Sequence, residues 1–218
     1  MRIRVLLADD HQMVREGLRT LLEQQEGVQV VGEATDGWQA VKLARELTPH
    51  VVVMDVSMPG LNGIDATRQI VNELPATRVV ALSVHSDKRF VIEMLKMGAS
   101  GYLLKTSAFD ELVLAITAVA AGQVYLSPLI AGYVVDAYRH HDAEEHHGSA
   151  FTQLTPRERE IVQLLAEGQS TKEIAAQLHI SQKTVDVHRQ NTMEKLHFHS
   201  LAELIKYAIK EGLITLDS

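Results

Sequence analysis

Short apolar runs alternate with amphipathic segments along the first half of the chain. Five runs are rich in Val, Ile and Leu with little polar alternation, at residues 3–8, 28–31, 51–54, 79–84 and 101–104. Such runs are typical of strands buried on both faces. Between them, apolar residues recur at helical spacing, as at Val14, Leu18 and Leu22. Five strands alternating with five helices predict an α/β fold with a doubly wound parallel sheet over residues 1–121.

The last part of the chain, residues 151–218, has a helical pattern and no convincing strand. Four helix starts are predicted, at Thr155, Ser170, Ser181 and Ser200. Three of them are capping boxes, in which Ser or Thr is followed three residues later by Glu. Gly168 and Gly212 are predicted stops. An all-α domain of four helices follows, and its helices over 171–179 and 181–197 predict a helix-turn-helix.

Residues 122–150 are predicted to link the two domains. A helix is expected from Ser127-Pro128 to about Tyr138. Residues 140–149 are polar, end in Gly-Ser and hold four histidines near three acids. A metal site is one interpretation of the histidines, and a solvated linker is the commoner one.

Composition excludes several classes of protein. Hydrophobic residues make up 46% and charged residues 22%, so wholesale disorder is excluded. The absence of cysteine excludes disulfides, thiolate metal sites and cysteine nucleophiles. No apolar stretch approaches membrane-spanning length, so we expect a cytoplasmic protein with no membrane partner.

The net charge of −7 argues against a strongly basic nucleic-acid binder. Residues 1–121, 122–150 and 151–218 carry −3, −3 and −1 of that charge. The acidic surplus therefore lies mostly outside the helical domain. That domain is still not basic, so any DNA affinity would depend on helix geometry, a few placed cations and dimerisation.

Three carboxylates follow two strands that should be neighbours. Asp9 and Asp10 come after the first strand, and Asp55 ends the third. In a doubly wound sheet the carboxyl ends of these strands meet at the switch point. A single strand-end Asp is usually a loop cap, but three clustered acids repel one another unless a cation intervenes. Oxygen ligands without Cys or His suit Mg²⁺.

Lys105 follows the fifth strand and Ser83 ends the fourth, so both should face the same acidic pocket. This set suits phosphoryl transfer to Asp55. The carboxylate would be the nucleophile, while the metal and the lysine neutralise the phosphoryl oxygens. The Ser83 hydroxyl would hydrogen-bond the phosphoryl group after it arrives and act as a sensor.

Residues 1–121 resemble the receiver domain of two-component response regulators, which has the CheY-like, flavodoxin-like fold. The matching features are Asp9-Asp10, Asp55 before Met58-Pro59-Gly60-Leu61-Asn62-Gly63, Ser83, and Gly101-Tyr102-Leu103-Leu104-Lys105. The resemblance implies that a sensor histidine kinase phosphorylates Asp55.

The resemblance also implies roles for neighbouring residues. Asp10, Asp55 and the Ser57 carbonyl would ligate Mg²⁺, and Asp9 would assist through water. Ser83 and Tyr102 would form the switch pair, with the aromatic ring moving inward. Ser57 and His85 are expected to line the path of a hydrolytic water.

The predicted helix over 181–197 has two distinct faces. Val185, His188, Thr192 and Leu196 share one face, and Lys183, Val187, Gln190 and Glu194 the other. Residues 154–160, 173–175 and 183–196 resemble the LuxR-type DNA-binding domain. A receiver followed by this domain resembles the NarL/FixJ class of transcription regulators.

This second resemblance implies DNA contacts. The candidates for base edges are Lys183, Asp186, Val187 and Gln190, and those for phosphates are Thr184, Arg189 and Lys195. Asp186 stands where lysine is frequent, which suits a cytosine amino group or a water bridge. The apolar stripe of the last helix is a candidate surface for a homodimer.

These features favour a response regulator that is not a metabolic enzyme. Phosphorylation would release the C-terminal domain to dimerise and bind double-stranded promoter DNA, and RNA polymerase is a further candidate partner. Two alternatives stay open. One is a Mg²⁺-dependent phosphohydrolase, although such enzymes usually carry Asp where Ser57 stands. The other is an adaptor whose helical domain contacts only proteins.

Overall fold

The computed structural model describes residues 2–84, 88–106, 109–139 and 153–214. The chain divides into two compact units, Met1–Glu145 and His146–Ser218. The predicted boundary near residue 150 and the histidines of 140–149 lie outside the described residues. Within the described ranges, no helix combines the length and the apolar character needed to cross a membrane.

The first unit alternates strands and helices around one parallel sheet. Its elements are β1 (Ile3–Ala8), α1 (Gln12–Glu23), β2 (Val28–Ala34), α2 (Gly37–Leu47), β3 (Val51–Asp55), α3 (Gly63–Glu73), β4 (Arg78–Ser83), α4 (Lys88–Lys96), β5 (Gly101–Leu104), α5 (Phe109–Ala120), β6 (Tyr125–Leu126) and α6 (Pro128–Arg139). The strand order is β2-β1-β3-β4-β5-β6, and every neighbouring pair is parallel. The predicted doubly wound architecture is confirmed.

The sheet has six strands, so the prediction of five is wrong by one. The additional strand is β6, whose Tyr125 and Leu126 pair with Gly101 and Tyr102 of β5. Two half-buried residues are too few to form an apolar run, which is why the pattern missed them. The helix expected after Ser127-Pro128 is present as α6, and its Ile130 is fully buried.

The central strands are buried on both faces. On one face, Val5, Val53 and Val80 pack in a core with Leu22 of α1 and Ile116 of α5. Residues of the opposite face, such as Leu6, Val52 and Met54, are also fully buried. Polar side chains are therefore confined to the strand ends, and β1 and β3 end side by side.

The second unit is helical. Its elements are α7 (Pro156–Ala166), α8 (Thr171–Gln177), α9 (Gln182–Lys195) and α10 (Leu201–Lys210). All three predicted capping boxes form, with both reciprocal hydrogen bonds at Thr155, Ser170 and Ser200. Gly168 and Gly212 follow their helices with φ of 87° and 68°, which a glycine adopts without strain.

The core of the second unit is small and apolar. Ile161, Ile174, Val185 and Leu204 come from four different helices and are fully buried. The predicted four-helix domain is confirmed, and α8 and α9 are separated by only four residues, as a helix-turn-helix requires.

Candidate functional site

The ends of β1 and β3 bring four potential ligand residues together. Asp9, Asp10 and His11 directly follow β1, and Asp55 is the last residue of β3. One ligand atom from each lies within 4.8 Å of all the others. We call these four residues the acidic pocket. Asp9 and Asp55 are only 2% and 3% exposed, so little water screens their charges.

Lys105 joins two carboxylates of the acidic pocket. Its Nζ lies 2.6 Å from Oδ2 of Asp55 and 2.8 Å from Oδ2 of Asp9. Its backbone N–H donates to the Ser83 carbonyl at 2.7 Å, which fixes the lysine at the end of β5. Burial alone would lower the pKa of the Lys105 ammonium, but the carboxylates of Asp55 and Asp9 outweigh it and raise that pKa. The side chain is therefore a fixed positive charge.

The two oxygens of Asp55 have different partners. Oδ2 accepts from Lys105, and Oδ1 accepts from the backbone N–H of Ser57 at 3.2 Å. Burial raises the pKa of Asp55 to about 6; the charge of Asp9 adds to this, while Lys105 and the Ser57 amide oppose it. A buried carboxylate held this way can act as a nucleophile once positive charge keeps it ionised.

The acidic pocket fits a hard divalent cation. Three carboxylates against the one ammonium of Lys105 leave an excess of negative charge in a largely buried space. Carboxylate oxygens are the donors that Mg²⁺ prefers. The chemistry of the donor set therefore suggests a divalent metal site. Ser57, predicted to add its carbonyl, lies two residues from Asp55 and donates its amide to that carboxylate.

The two residues predicted as a switch pair are both fully buried. Ser83 is the last residue of β4, and Tyr102 lies in the neighbouring strand β5. The Tyr102 ring already lies inside the unit in this structure, and its predicted movement stays a prediction. His85, predicted beside the path of a hydrolytic water, lies outside the described residues.

Sequence reasoning missed two features of this site. His11 joins the acidic pocket, and its direct succession to Asp9-Asp10 is the signal that could have found it. Gly63 packs its backbone against β3, because a Cβ there would lie 1.9 Å from the carbonyl oxygen of Asp55. A side chain at 63 would push α3 away from the end of β3.

The second unit presents the two faces of α9 that the spacing predicts. Val185 and Thr192 are buried, and His188 and Leu196 are half-buried. On the other side, Lys183, Val187 and Gln190 are exposed, with Val187 47% exposed despite its apolar side chain. The exposed face belongs to the second helix of the helix-turn-helix, as base reading requires.

Several of the predicted DNA-contacting residues have partners within the unit. Arg189 pairs with Asp186 at 3.1 Å, Gln190 with Glu194 at 3.0 Å, Thr184 with Ser181 at 2.8 Å, and Lys195 with Glu158 at 2.8 Å. Lys195 is therefore bound to α7, and Thr184 is a hydrogen-bond partner of Ser181, the N-cap of α9. Asp186 and Arg189 are a half-exposed pair on the exposed side of that helix.

Comparisons with known proteins agree with both units. The family model of the response regulator receiver domain matches residues 5–117, and that of bacterial regulatory proteins of the luxR family matches residues 152–208. The transcriptional regulatory protein MctR of Rhizobium johnstonii is 42% identical over 214 residues, covering 98% of this chain and 96% of that protein. The response regulator UvrY of Escherichia coli is 40% identical over 211 residues, covering 97% and 95%.

A solved structure adds a match in three dimensions. It is RcsB from Salmonella enterica serovar Typhimurium, bound to promoter rprA in the presence of the phosphomimetic BeF₃⁻. It superposes with a TM-score of 0.61 at 27% identity and covers 95% of this chain and 98% of that one.

Proposed function

We propose that Asp55 is the phosphoacceptor of this chain, which belongs to the two-component response regulators of the NarL/FixJ class. Members of this class are transcription regulators that join a receiver domain to a LuxR-type DNA-binding domain. A sensor histidine kinase supplies the phosphoryl group. The observation that carries the proposal is the buried Asp55 carboxylate, with Lys105 Nζ at 2.6 Å and the Ser57 amide at 3.2 Å.

The transfer is a displacement at phosphorus. An oxygen of Asp55 forms the new P–O bond, the P–N bond of the kinase phosphohistidine breaks, and its electron pair leaves with the imidazole. Lys105 is shared by Asp9 and Asp55, so its ammonium stands where a phosphoryl oxygen would arrive. Asp10, Asp55 and the Ser57 carbonyl, with Asp9 assisting, would hold Mg²⁺, which would supply further positive charge.

Ser83 and Tyr102 turn phosphorylation into a change of shape. Both are fully buried and lie on adjacent strands, β4 and β5. Since the ring is already inside, the phosphoryl group stabilises this arrangement through the Ser83 hydroxyl and shifts a population that exists beforehand. The shift releases the C-terminal domain to dimerise.

The phosphoryl group is lost by slow self-dephosphorylation, and the protein acts in the cytoplasm.

The exposed face of α9 reads promoter DNA in the major groove. Lys183, Val187 and Gln190 are exposed along it. They reach base edges together with Asp186, while Thr184, Arg189 and Lys195 position phosphates. Lys195 also contacts Glu158, so its contribution to phosphate binding is shared with an ion pair inside the unit. The promoter-bound structure of RcsB supports DNA as the ligand of this domain.

The last helix, α10, carries the homodimer contact. Leu204 and Ala208 are fully buried and cover the core of the unit. Leu201 is 46% exposed, and Ile205 and Ile209 are half-buried on the same side. This apolar stripe exceeds what the core of one unit needs, which suits self-association on paired half-sites. RNA polymerase is the further partner at the promoter.

The central test is the Asp55→Asn variant. The wild-type chain and Asp136→Asn, a control outside the acidic pocket, should form an acid-stable, base-labile acyl phosphate when treated with an acyl phosphate donor and Mg²⁺. Asp55→Asn should form none, and its dimerisation and promoter binding should not respond to the donor. Full donor-dependent dimerisation or DNA binding in Asp55→Asn would overturn the proposal.

A further inference from the structure

His11 stands at a helix start without capping it. It occupies the N-cap position of α1, where a side chain usually accepts from the first free amides, yet it makes no such hydrogen bond. Its backbone N–H instead donates to Oδ1 of Asp9 at 2.9 Å, which turns the residue toward the carboxylates. The position of the side chain is therefore set by contacts in the acidic pocket, and the side chain does not cap the helix.

The His11 ring lies beside oxygens of all three carboxylates of the acidic pocket. Nδ1 lies 2.8 Å from Oδ1 of Asp10, 3.3 Å from Oδ1 of Asp9 and 4.0 Å from Oδ2 of Asp55. Lys105 contacts the other oxygen of Asp9, Oδ2. The two nitrogen-bearing side chains therefore approach the Asp9 carboxylate through different oxygens.

The closest of these approaches is not a hydrogen bond. Oδ1 of Asp10 is buried and has no hydrogen-bond partner among the described residues, although Nδ1 of His11 is 2.8 Å away. Two ligand atoms at right angles about one divalent cation lie about 3 Å apart, since each is about 2.1 Å from the ion. The spacing of Nδ1 and Oδ1 is therefore that of adjacent ligands.

We infer that His11 Nδ1 is a direct ligand of the divalent cation and shifts the preference of the acidic pocket from Mg²⁺ toward first-row transition metals, for which Mn²⁺ is the probe. The inference rests on the metal site of the proposed function. An imidazole nitrogen adds little to the binding of Mg²⁺, which prefers oxygen, whereas first-row transition ions gain from nitrogen ligands. His11 then strengthens the binding of transition ions relative to that of Mg²⁺.

The test compares two metals in matched full-length chains. All chains carry Asn in place of His140, His141, His146 and His147, so that these histidines add no background binding. The variants are His11→Asn, which replaces the nitrogen donor by an oxygen donor, and His179→Asn, an exposed control whose positive φ asparagine tolerates. Asp10→Asn is added to locate the site.

Calorimetry gives the Mg²⁺ and Mn²⁺ affinities, and pulsed EPR of bound Mn²⁺ reports nitrogen in its first shell. His11→Asn should weaken Mn²⁺ binding at least about tenfold and Mg²⁺ binding less than about threefold, and it should remove the nitrogen coupling. The His179→Asn control should keep the affinities and the coupling.

Two outcomes overturn the inference in different ways. If Asp10→Asn abolishes binding of both metals but Mn²⁺ in the parent chain shows no nitrogen coupling, His11 is only a hydrogen-bond partner of Asp9 and the metal site itself stands. If neither metal depends on Asp10, both the inference and the proposed metal site fail.

Discussion

At the scale of single residues, the acidic pocket is a balance between burial and one fixed cation. Asp55 is nearly inaccessible to water, which favours its neutral form, and Lys105 opposes that tendency from 2.6 Å. The carboxylate must be ionised to act as a nucleophile. In the proposed phosphoryl transfer, Lys105 would therefore both bind the incoming group and keep the Asp55 carboxylate ionised.

Removing the ammonium should show this directly. Lys105→Met is expected to slow phosphorylation of Asp55 by an acyl phosphate about 10²–10³-fold, because the pocket loses positive charge both before and during transfer. Lys105→Arg, which keeps the charge but not its compact shape, should lose less. The measurement is the rate of acyl-phosphate formation at saturating Mg²⁺. Equal rates in Lys105→Met and the wild type would contradict the role given to the lysine.

The pH dependence of stability follows from Asp55. Its pKa lies near 6 in the folded chain against an ordinary value of 3.8, so the folded state binds more protons than the unfolded state between these values. Stability therefore falls as pH rises through that window. Without divalent cations, Asp55→Asn should be more stable than the wild type at pH 7.5 by roughly 1–3 kcal/mol, and the difference should vanish near pH 4.

Denaturant unfolding followed by fluorescence measures this difference. Trp38 is the only tryptophan of the chain and lies in α2, so its signal reports the first unit alone. Added Mg²⁺ should reduce the advantage of Asp55→Asn, because the cation stabilises the ionised carboxylate. A difference that is independent of pH would argue against the raised pKa.

At the scale of elements, one capping box of the second unit also joins two helices. Glu158 caps α7 together with Thr155, and its carboxylate forms an ion pair with Lys195 of α9 at 2.8 Å. Burial alone would raise the pKa of Glu158, but its hydrogen bonds from Lys195 and Thr155 outweigh burial and lower that pKa. The carboxylate therefore stabilises the unit at neutral pH. That contribution is complete above the ordinary pKa of 4.5 and is lost as pH falls through the lower folded value.

Glu158→Gln should destabilise the second unit by about 1–2 kcal/mol at pH 7, because a neutral amide loses the ion pair and weakens the cap. Below pH 4 the deficit should shrink. Hydrogen exchange of the α7 amides measures the local stability. Glu203→Gln is the matched control, since Glu203 also completes a capping box but accepts from backbone amides and Ser200 without a lysine. An equal deficit in both variants would remove the part assigned to Lys195.

On α9, the pair of Asp186 and Arg189 sets the charge that DNA would meet. Asp186 lies 3.1 Å from Arg189, and on bound DNA it would place a negative charge near the phosphates. Asp186→Ala should raise affinity for random duplex DNA and steepen the salt dependence by about one unit of slope, as Arg189 becomes available to a phosphate. Discrimination between the promoter site and random duplex DNA should fall. Fluorescence anisotropy over a salt series measures the DNA affinity, and an unchanged slope of affinity against salt concentration would contradict the prediction.

At the scale of the whole molecule, a domain that carries a net charge of −1 has little general attraction for DNA. The proposed dimerisation would then supply affinity, because the second half-site would be bound at high effective concentration. Leu201→Gln should weaken binding of the phosphorylated protein to a two-half-site operator about 10²-fold or more and leave half-site binding unchanged. Lys206→Gln, an exposed control on the same helix, should have a much smaller effect.

The fold and much of the site follow from local patterns. Asp9, Asp10, Asp55 and Lys105 could be placed together because apolar runs identify strands and parallel topology aligns their ends. The ring position of His11 could not be predicted, since it depends on which carboxylate oxygens Lys105 leaves free. Likewise, the internal partner of Lys195 depends on the packing of α7 against α9, which no local pattern encodes.

The sixth strand matters for any shortened form of this protein. A fragment that stops at residue 121 lacks β6 and α6, and so leaves the backbone amides and carbonyls of β5 without their neighbours Tyr125 and Leu126. Such an open strand edge is a template for another copy of the same fragment. Receiver fragments that end there would self-associate through the unpaired edge of β5, and these dimers would form independently of phosphorylation.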